Sequence, residues 1–143
     1  MIRPLQNSDS QGWRQLWDDY LAFYRTRLDE QTTEATFKRL CDRVDRMHGL
    51  IALDDEDHPI GFAHLVLHPS TWAKGSYCYL EDLFVAREAR GGDTARQLIL
   101  AVYQQADKAQ ASRVYWHTQE FNAPARSLYD QVGHRTSFVM YER

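Results

Sequence analysis

The sequence predicts a mixed α/β fold, and three observations favour it. Apolar residues recur at helical spacing over residues 10–28. Three stretches between residues 48 and 85 have the composition of successive strands. The third leads through a glycine-containing loop into another amphipathic helix and then a further strand. The chain has 143 residues, 43% of them hydrophobic, so we expect a single domain spanning residues 1–143 with its own core.

The first predicted elements are a short edge strand and an aromatic helix. The strand covers residues 1–5 and is stopped by Pro4, which lacks the N–H that a ladder needs. Residues 7–9 can cap the helix that follows. Its apolar stripe consists of Trp13, Leu16, Trp17, Tyr20, Leu21, Phe23 and Tyr24. Core packing explains the stripe most simply, and the alternative is that its end, residues 23–25, borders a substrate pocket.

A second helix and an antiparallel meander follow. Thr32 or Thr33 can cap the helix, which continues to Val44, with Glu34 well placed for the helix dipole. The predicted strands are residues 48–53, 60–67 and 77–85. An acidic turn at residues 54–59 joins the first two strands.

The last third of the chain predicts alternating helices and strands. These elements are a helix over residues 94–109, a strand over 113–117, a short helix opened by Asn122 and Pro124 and ended by Gly133, and a strand over 136–141 that closes the sheet. A right-handed crossover makes strand 113–117 a parallel neighbour of strand 77–85.

Composition excludes several classes of function. The net charge is −3 and the pI is about 6.0, which argues against a nucleic-acid-binding domain. Cys41 and Cys78 have no metal-ligand spacing and are expected to be free thiols in a reducing compartment. We found no signal region and no apolar run near the roughly 18 residues of a membrane span. We therefore expect a cytoplasmic protein with no metal and no membrane partner.

The stretch from Tyr79 to Ile99 contains the clearest candidate site. A strand ending at Val85 is followed by a turn, the pair Gly91-Gly92 and the start of a helix. Such a loop at a helix N-terminus presents backbone N–H groups to a phosphate. Taken alone the glycine pair is a weak signal, and the context strengthens it.

In this context the chain resembles the GNAT superfamily of acetyl-CoA-dependent N-acetyltransferases. The motifs that carry the resemblance are Leu83-Phe84-Val85, Arg90-Gly91-Gly92-Asp93-Thr94-Ala95, Asn122-Ala123-Pro124-Ala125, Leu128-Tyr129 and Gly133. Within the superfamily the likeness is greatest to the diamine (spermidine/spermine) N-acetyltransferase branch, on Trp72 and Tyr79-Leu80-Glu81-Asp82. The resemblance implies a GNAT-like acyl-CoA N-acyltransferase fold: N-terminal helices, an antiparallel meander and a β-α-β-α-β end.

The resemblance also implies acetyl-CoA as cosubstrate and assigns the residues that contact it. Leu83, Phe84 and Val85 lie at a β-bulge and pair with the pantetheine arm. The pyrophosphate contacts are Arg90, Gly91, Gly92, Asp93, Thr94, Ala95 and Arg96. The arm is contacted from the other side by Asn122, Ala123, Pro124 and Ala125. Glycine suits such a loop because it lacks a Cβ.

Two residues match the catalytic positions of the family. Tyr129 is the general acid that protonates the departing CoA thiolate, and Glu81 is the base, direct or through water, for an amine that is protonated at neutral pH. Strand alternation points Asp82 to the opposite face. Weaker acceptor-site candidates are Trp72, His117 and Glu120. Trp72 either covers a core edge or lines a pocket, and His117 is an alternative base or a structural residue.

The main departure from the family is Asp93, where a glycine is usual. Its charge weakens pyrophosphate binding unless it turns outward as a cap and Arg90 and Arg96 offset it. The favoured function is transfer of acetyl to a primary amine, such as a polyamine or diamine. Alternative acceptors are a protein lysine or N-terminus, an amino acid and an aminoglycoside, and a further alternative is a catalytically impaired acyl-CoA-binding module. The family also implies a homodimer.

Overall fold

The computed structural model describes the whole chain, residues 1–143. It contains one five-stranded sheet and four α-helices, which confirms the predicted mixed α/β class. In chain order the elements are β1 (Ile2–Pro4), α1 (Ser10–Phe23), α2 (Glu30–Asp42), β2 (Met47–Leu53), β3 (Pro59–Pro69), β4 (Ser76–Val85), α3 (Thr94–Lys108), β5 (Arg113–Tyr115) and α4 (Ala123–Val132).

The strands follow the order β1-β2-β3-β4-β5, and all pairs are antiparallel except the last. β4 and β5 are parallel, as the crossover through α3 predicted. Their pairing runs only from Tyr77 opposite Arg113 to Tyr79 opposite Tyr115. Beyond Tyr79 the end of β4 has no strand on its β5 side, so a cleft opens between the two strands.

Helices cover both faces of the sheet and divide the core into two clusters. On one face α3 and the strands bury Leu98, Ile99, Val102, Ala63, Leu65 and Cys78, with Leu128 and Tyr129 of α4 packed against them. On the other face α1 and α2 bury Trp13, Leu16, Trp17 and Leu40 against Ile51 and Phe62. The first two turns of the aromatic stripe in α1 therefore serve the core.

The helix boundaries in the first half differ from the predicted ones. α1 ends at Phe23 instead of residue 28, since Arg25 has a left-handed φ of 53°. α2 is capped by Asp29, whose Oδ1 accepts a hydrogen bond from the Thr32 N–H at 2.7 Å. Neither Thr32 nor Thr33 caps the helix, and Thr33 is buried against α1. Asp29 lies three residues before Thr32, and aspartate is a better N-cap residue than threonine, so the helix begins earlier than predicted.

The predicted cap of α1 at residues 7–9 is also wrong. These residues form a short 3-10 turn, and no side chain caps α1. The Asp9 carboxylate instead accepts two hydrogen bonds from Arg3 at 2.8 Å and one from the Gln6 N–H at 2.8 Å. The nearby guanidinium provides a charged partner that competes with the helix N–H groups.

The last predicted strand, residues 136–141, does not form. Phe138, Val139, Met140 and Tyr141 are each at least 67% exposed. A strand is stabilised by pairing with a neighbour, and no segment of the chain pairs with this one. β5 is likewise shorter than predicted and ends at Tyr115. Gly133 follows α4 as expected but is extended, with φ −152°. A Cβ there would lie 3.0 Å from the Trp116 ring, so close packing explains the glycine.

Candidate active site

The loop before α3 offers a row of free backbone donors. Gly91 has a φ of 87°, a conformation that favours glycine, and α3 begins at Thr94. The first intrahelical N–H is that of Gln97, which donates to the Asp93 carbonyl at 2.9 Å. The six N–H groups from Gly91 to Arg96 have no backbone acceptor. Six free donors at a helix N-terminus fit the pyrophosphate of acetyl-CoA.

Asp93, the irregular residue of this loop, turns outward. Its side chain is 60% exposed, lies 3.3 Å from the Arg96 Nε and makes no capping hydrogen bond. Arg90 faces elsewhere: its Nε donates to the Val85 carbonyl at 2.9 Å, and its guanidinium lies 5.4 Å from the Phe84 ring centroid. Arg96, and not Arg90, therefore offsets the charge of Asp93.

The other candidate cofactor positions lie at the start of α4. Asn122 is the residue before the helix, and Pro124 occupies its first turn, where a missing N–H costs nothing. Arg96 of the loop donates a hydrogen bond to Gln131 of α4. This bond connects the candidate pyrophosphate loop to the helix that carries Tyr129.

β4 contains a bulge at Glu81. β3 residue His64 pairs with Asp82 and Leu65 pairs with Leu80, so Glu81 has no partner. Because of the extra residue, Leu80 faces α3 whereas Asp82 faces α1. The expected bulge at residues 83–85 is wrong, since those residues pair in regular register with residues 61–63. The bulge directs Glu81 into the cleft between β4 and β5.

One small cavity at this cleft brings several of the predicted residues together. It is lined by Tyr20, Tyr24, Leu80, Glu81, Leu83, Trp116, His117, Thr118 and Tyr129. The two candidate catalytic residues, Glu81 from β4 and Tyr129 from α4, thus line the same cavity. His117 also lines it, and its Nδ1 lies 3.2 Å from the Tyr79 hydroxyl.

Burial shifts the titration of both candidate catalytic residues. The pKa of Tyr129 is raised to about 12, mainly by burial beside Trp116 and also by Tyr24. The pKa of Glu81 is raised above its ordinary value, first by partial burial and then by the charge of Asp82. Tyr129 therefore holds its proton at neutral pH, and Glu81 is a stronger base than a free carboxylate.

Two of the acceptor-site candidates lie outside the cavity. Trp72 is 72% exposed, and the Arg113 guanidinium lies 5.9 Å from its ring centroid. It neither covers a core edge nor lines this cavity. The Glu120 side chain is 83% exposed and lies 3.7 Å from the Arg135 guanidinium. Both residues stand on connecting segments, whose course the local sequence does not specify.

Five residues of the cavity wall were not among the site candidates named from the sequence. They are Tyr20, Leu80, Trp116, Thr118 and, except as part of the alternative for residues 23–25, Tyr24. The predicted helical stripe contained a signal for the two tyrosines, because Tyr20 lies one turn and Tyr24 two turns beyond the buried Trp17. Trp116 and Thr118 gave no signal, because they follow the short strand β5 without any motif.

No cluster of three or more His, Cys, Asp or Glu side chains is arranged to hold a metal ion. None of the helices combines the length and the apolar composition that crossing a membrane would require.

Comparison with known proteins identifies the family. The model of the acetyltransferase (GNAT) family matches residues 13–134. The D-amino-acid N-acetyltransferase HPA3 of Saccharomyces cerevisiae is 33% identical over 144 aligned positions, covering 100% of this chain and 89% of the relative. The uncharacterized N-acetyltransferase YhfO of Bacillus subtilis is 32% identical, covering 98% and 94%.

Solved structures show the same fold. The crystal structure of a probable acetyltransferase superposes with a TM-score of 0.88 at 25% identity, covering 100% of this chain and 96% of the other. AAC(6')-Iy, bound to the bisubstrate analogue CoA-S-monomethyl-acetylneamine, superposes with a TM-score of 0.85 at 20% identity, with the same coverage. With the donor loop, the strand cleft and these relatives together, the chain belongs to the acetyltransferase (GNAT) family and is an acetyl-CoA-dependent N-acetyltransferase.

Proposed function

We propose that the enzyme acetylates a primary amine of a small molecule, with Glu81 as base and Tyr129 as acid. The observation that carries the proposal is their presence in one cavity, at the cleft where β4 and β5 separate. The two groups come from different elements and have the protonation states that the reaction needs. The amine must lose a proton and the departing sulfur must gain one.

The residues that hold acetyl-CoA in this proposal are those of the loop and of the start of α4. The N–H groups of residues 91–96 bind the pyrophosphate, and Asn122–Ala125 with the free side of β4 contact the arm. Acetyl-CoA supplies the acetyl group as a thioester. Gly91 is suited to this role because its φ of 87° turns the chain so that successive N–H groups follow the helix start.

Glu81 receives the proton of the alkylammonium, directly or through a water. The raised pKa of Glu81 reduces the difference in pKa between the carboxylate and an alkylamine, whose pKa is about 10. Tyr20, Tyr24 and Trp116 line the same cavity as the carboxylate. An aromatic wall with one carboxylate attracts a cation through both charge and ring quadrupole.

Tyr129 donates its proton to the sulfur that leaves. With a pKa of about 12 the phenol stays protonated at neutral pH and is ready to donate. The ring lies edge-on to Trp116, with centroids 5.5 Å apart, which restricts its orientation. Restricted orientation favours a general acid because the proton must be in place when the bond breaks.

The proposed acceptor is a diamine or polyamine. The cavity lining contains a carboxylate and four aromatic or imidazole rings besides Tyr129, and it contains no lysine or arginine that would bind an acceptor carboxylate. A second candidate is an amino acid, because the yeast relative is named a D-amino-acid N-acetyltransferase. The two classes differ in one group, the carboxylate beside the amine.

An acceptor panel measured by thiol release tests the proposal. It contains putrescine and spermidine, D- and L-amino acids, the corresponding amino-acid amides, an aminoglycoside and a lysine peptide. Diamine activity that is lost in both Glu81→Gln and Tyr129→Phe supports the proposal. A preference for amino acids over their amides favours the second candidate. Acetyl-CoA binding without release on any amine contradicts an enzyme of this kind and favours the impaired binding module.

We propose further that two copies of the chain associate through residues 136–143. Four large apolar side chains there, Phe138–Tyr141, are at least 67% exposed, and the outer edge of β5 carries no partner strand. An unpaired sheet edge and an unpaired strand-like segment complement each other between copies. Sedimentation velocity should show a dimer for the wild type and a monomer for a Phe138→Ser, Met140→Ser variant. A wild-type monomer at 50-fold the assay concentration would contradict this.

We propose a cytoplasmic location. Cys41 and Cys78 are unpaired, and Cys78 is fully buried, which suits a compartment that keeps thiols reduced. Fractionation of cells that express the chain at its natural level tests this.

A further inference from the structure

A chain of buried hydrogen bonds leads from the core to the cavity wall. The Trp13 Nε1–H donates to the His64 Nε2 at 3.0 Å. The His64 Nδ1 lies 2.9 Å from the Asp82 Oδ2. The Tyr20 hydroxyl donates to the other oxygen, Oδ1, at 2.6 Å. Four residues from α1, β3 and β4 are therefore joined in one network.

The network leaves only one tautomer of His64. An indole N–H can only donate, so the Nε2 that faces Trp13 must accept and cannot carry a proton. The ring proton is then on Nδ1 and is donated to Asp82. His64 is 2% exposed and stacks on Phe62 with ring centroids 4.4 Å apart, so it cannot turn to another partner. His64 thus holds the Asp82 carboxylate in a single orientation.

Asp82 in turn holds Tyr20 at the cavity. The Tyr20 ring contacts Trp17 and Phe62 with centroid distances of 5.5 Å, and its face also lines the cavity beside Glu81 and Tyr129. These ring contacts restrain tilt, and the 2.6 Å bond restrains the hydroxyl end. Without that bond the partly buried carboxylate oxygen would lose a partner and the ring would lose the hydrogen bond at its hydroxyl end.

We propose that Asp82, oriented by His64, is a positioning residue that fixes Tyr20 as a specificity-determining wall of the acceptor cavity. The inference rests on the proposed function of that cavity. It assigns separate roles to two neighbouring carboxylates: Glu81 on the bulge faces the acceptor, and Asp82 faces α1 and acts through Tyr20. Alternation along β4 turns the two adjacent side chains to different faces, and the bulge leaves Glu81 without a partner on β3.

The charge of Asp82 provides a second readout. After burial, it is the largest cause that raises the pKa of Glu81. The groups that face Glu81 or act on it are Tyr20 of α1, Tyr24 just after α1, Arg39 of α2, His64 of β3, Tyr79 and Asp82 of β4, Tyr115 of β5, His117 after β5 and Tyr129 of α4. Removing the Asp82 charge while keeping its shape should lower the pKa of Glu81. The acid limb of the pH–rate profile should then move to lower pH.

The test compares Tyr20→Phe, Asp82→Asn and the double variant with the wild type, using the best amine of the panel. Each single variant should raise the amine KM about fivefold and leave the acetyl-CoA KM within about twofold. The double variant should raise the amine KM no more than the more affected single, because both changes act on the same contact: Tyr20→Phe removes the hydroxyl, and Asp82→Asn replaces its charged acceptor by a neutral amide. Of the two single variants, only Asp82→Asn should move the acid limb of the pH–rate profile to lower pH. Tyr115→Phe is the matched control: its hydroxyl bonds His68 at 2.7 Å outside the cavity, and its amine KM should not change.

Other outcomes overturn the proposal. Wild-type kinetics in both single variants would mean that the network is packing only. Equal changes in both KM values, with a melting temperature that falls in parallel, would indicate general loss of structure. Glu81→Gln and Tyr129→Phe are assayed alongside: if they are inactive while Tyr20→Phe and Asp82→Asn behave as wild type, only this inference fails. A wild type inactive on every amine overturns both.

Discussion

Replacing Tyr129 by phenylalanine isolates the proton that the proposed mechanism assigns to α4. The change removes one oxygen atom and keeps the ring, which lies 5.5 Å from Trp116 and packs against the α3 side of the core. The packing is therefore preserved, and the free energy of unfolding should change by less than about 0.5 kcal/mol. Acetyl-CoA affinity should also stay the same, because the loop of residues 91–96 is untouched.

The expected loss lies in kcat. Since burial raises the pKa of Tyr129 to about 12, the hydroxyl is protonated in nearly every wild-type molecule at pH 7. Removing a positioned general acid costs about 10²- to 10⁴-fold, which corresponds to roughly 3–5 kcal/mol in the activation barrier. Thiol release at saturating amine measures kcat, and calorimetric titration measures acetyl-CoA binding.

A matched variant separates this effect from the loss of any tyrosine hydroxyl. Tyr103→Phe removes a partly buried hydroxyl that bonds the Val132 carbonyl at 2.7 Å, outside the cavity. Its kcat should stay within about twofold of the wild type. A Tyr129→Phe enzyme that keeps a third or more of the wild-type kcat would refute the assignment of Tyr129 as the acid.

Three further substitutions test the neighbouring features. Glu81→Gln should lower kcat at every pH. The pKa of Glu81 is higher in the folded chain than in the unfolded chain, so the ionised carboxylate destabilises the fold above that pKa. The melting temperature of the variant should therefore be higher than that of the wild type at pH 8 and equal to it at pH 3. Gly91→Ala should lower the free energy of unfolding in urea by roughly 1–2 kcal/mol, because the φ of Gly91 is 87°. Gly92→Ala is the control and should lower it by less than about 0.5 kcal/mol, since the nearest atom to an added Cβ there is 4.0 Å away. Equal losses in the two variants would contradict the backbone argument. Asp93→Gly should tighten acetyl-CoA binding about two- to fivefold by calorimetry, since it frees Arg96 from an exposed ion pair, and weaker binding would mean that Asp93 is needed to start α3.

Local chemistry made much of the fold predictable. The three strands of the meander, the α3 helix and the start of α4 depend on alternation, helical spacing and the proline at position 124, and all are close to their predicted bounds. The predictions failed where a partner decided the outcome. Asp9 binds Arg3 instead of capping α1, and residues 136–141 have a strand-like composition but no strand to pair with.

The candidate site divides in the same way. The glycine loop and Tyr129 were predictable because a short motif specifies a backbone turn or a position on a helix. Trp72 and Glu120, which lie on connecting segments, do not line the cavity, and their role at the acceptor stays a prediction. Tyr20 and Trp116 were missed because their place in the cavity depends on how α1 and β5 cross the sheet.

By itself the sequence determined a mixed α/β chain with a donor loop at the start of α3 and a phenol on α4, since these features depend on residues close together in the chain. Only the tertiary structure decided which side chains share the cavity. The bulge at Glu81 arises from the register of β3 against β4, and it places Leu80 and Asp82 on opposite faces of the sheet. The network through His64 needs three elements to meet. Such contacts join residues that are far apart in the sequence, so a local sequence pattern does not predict them.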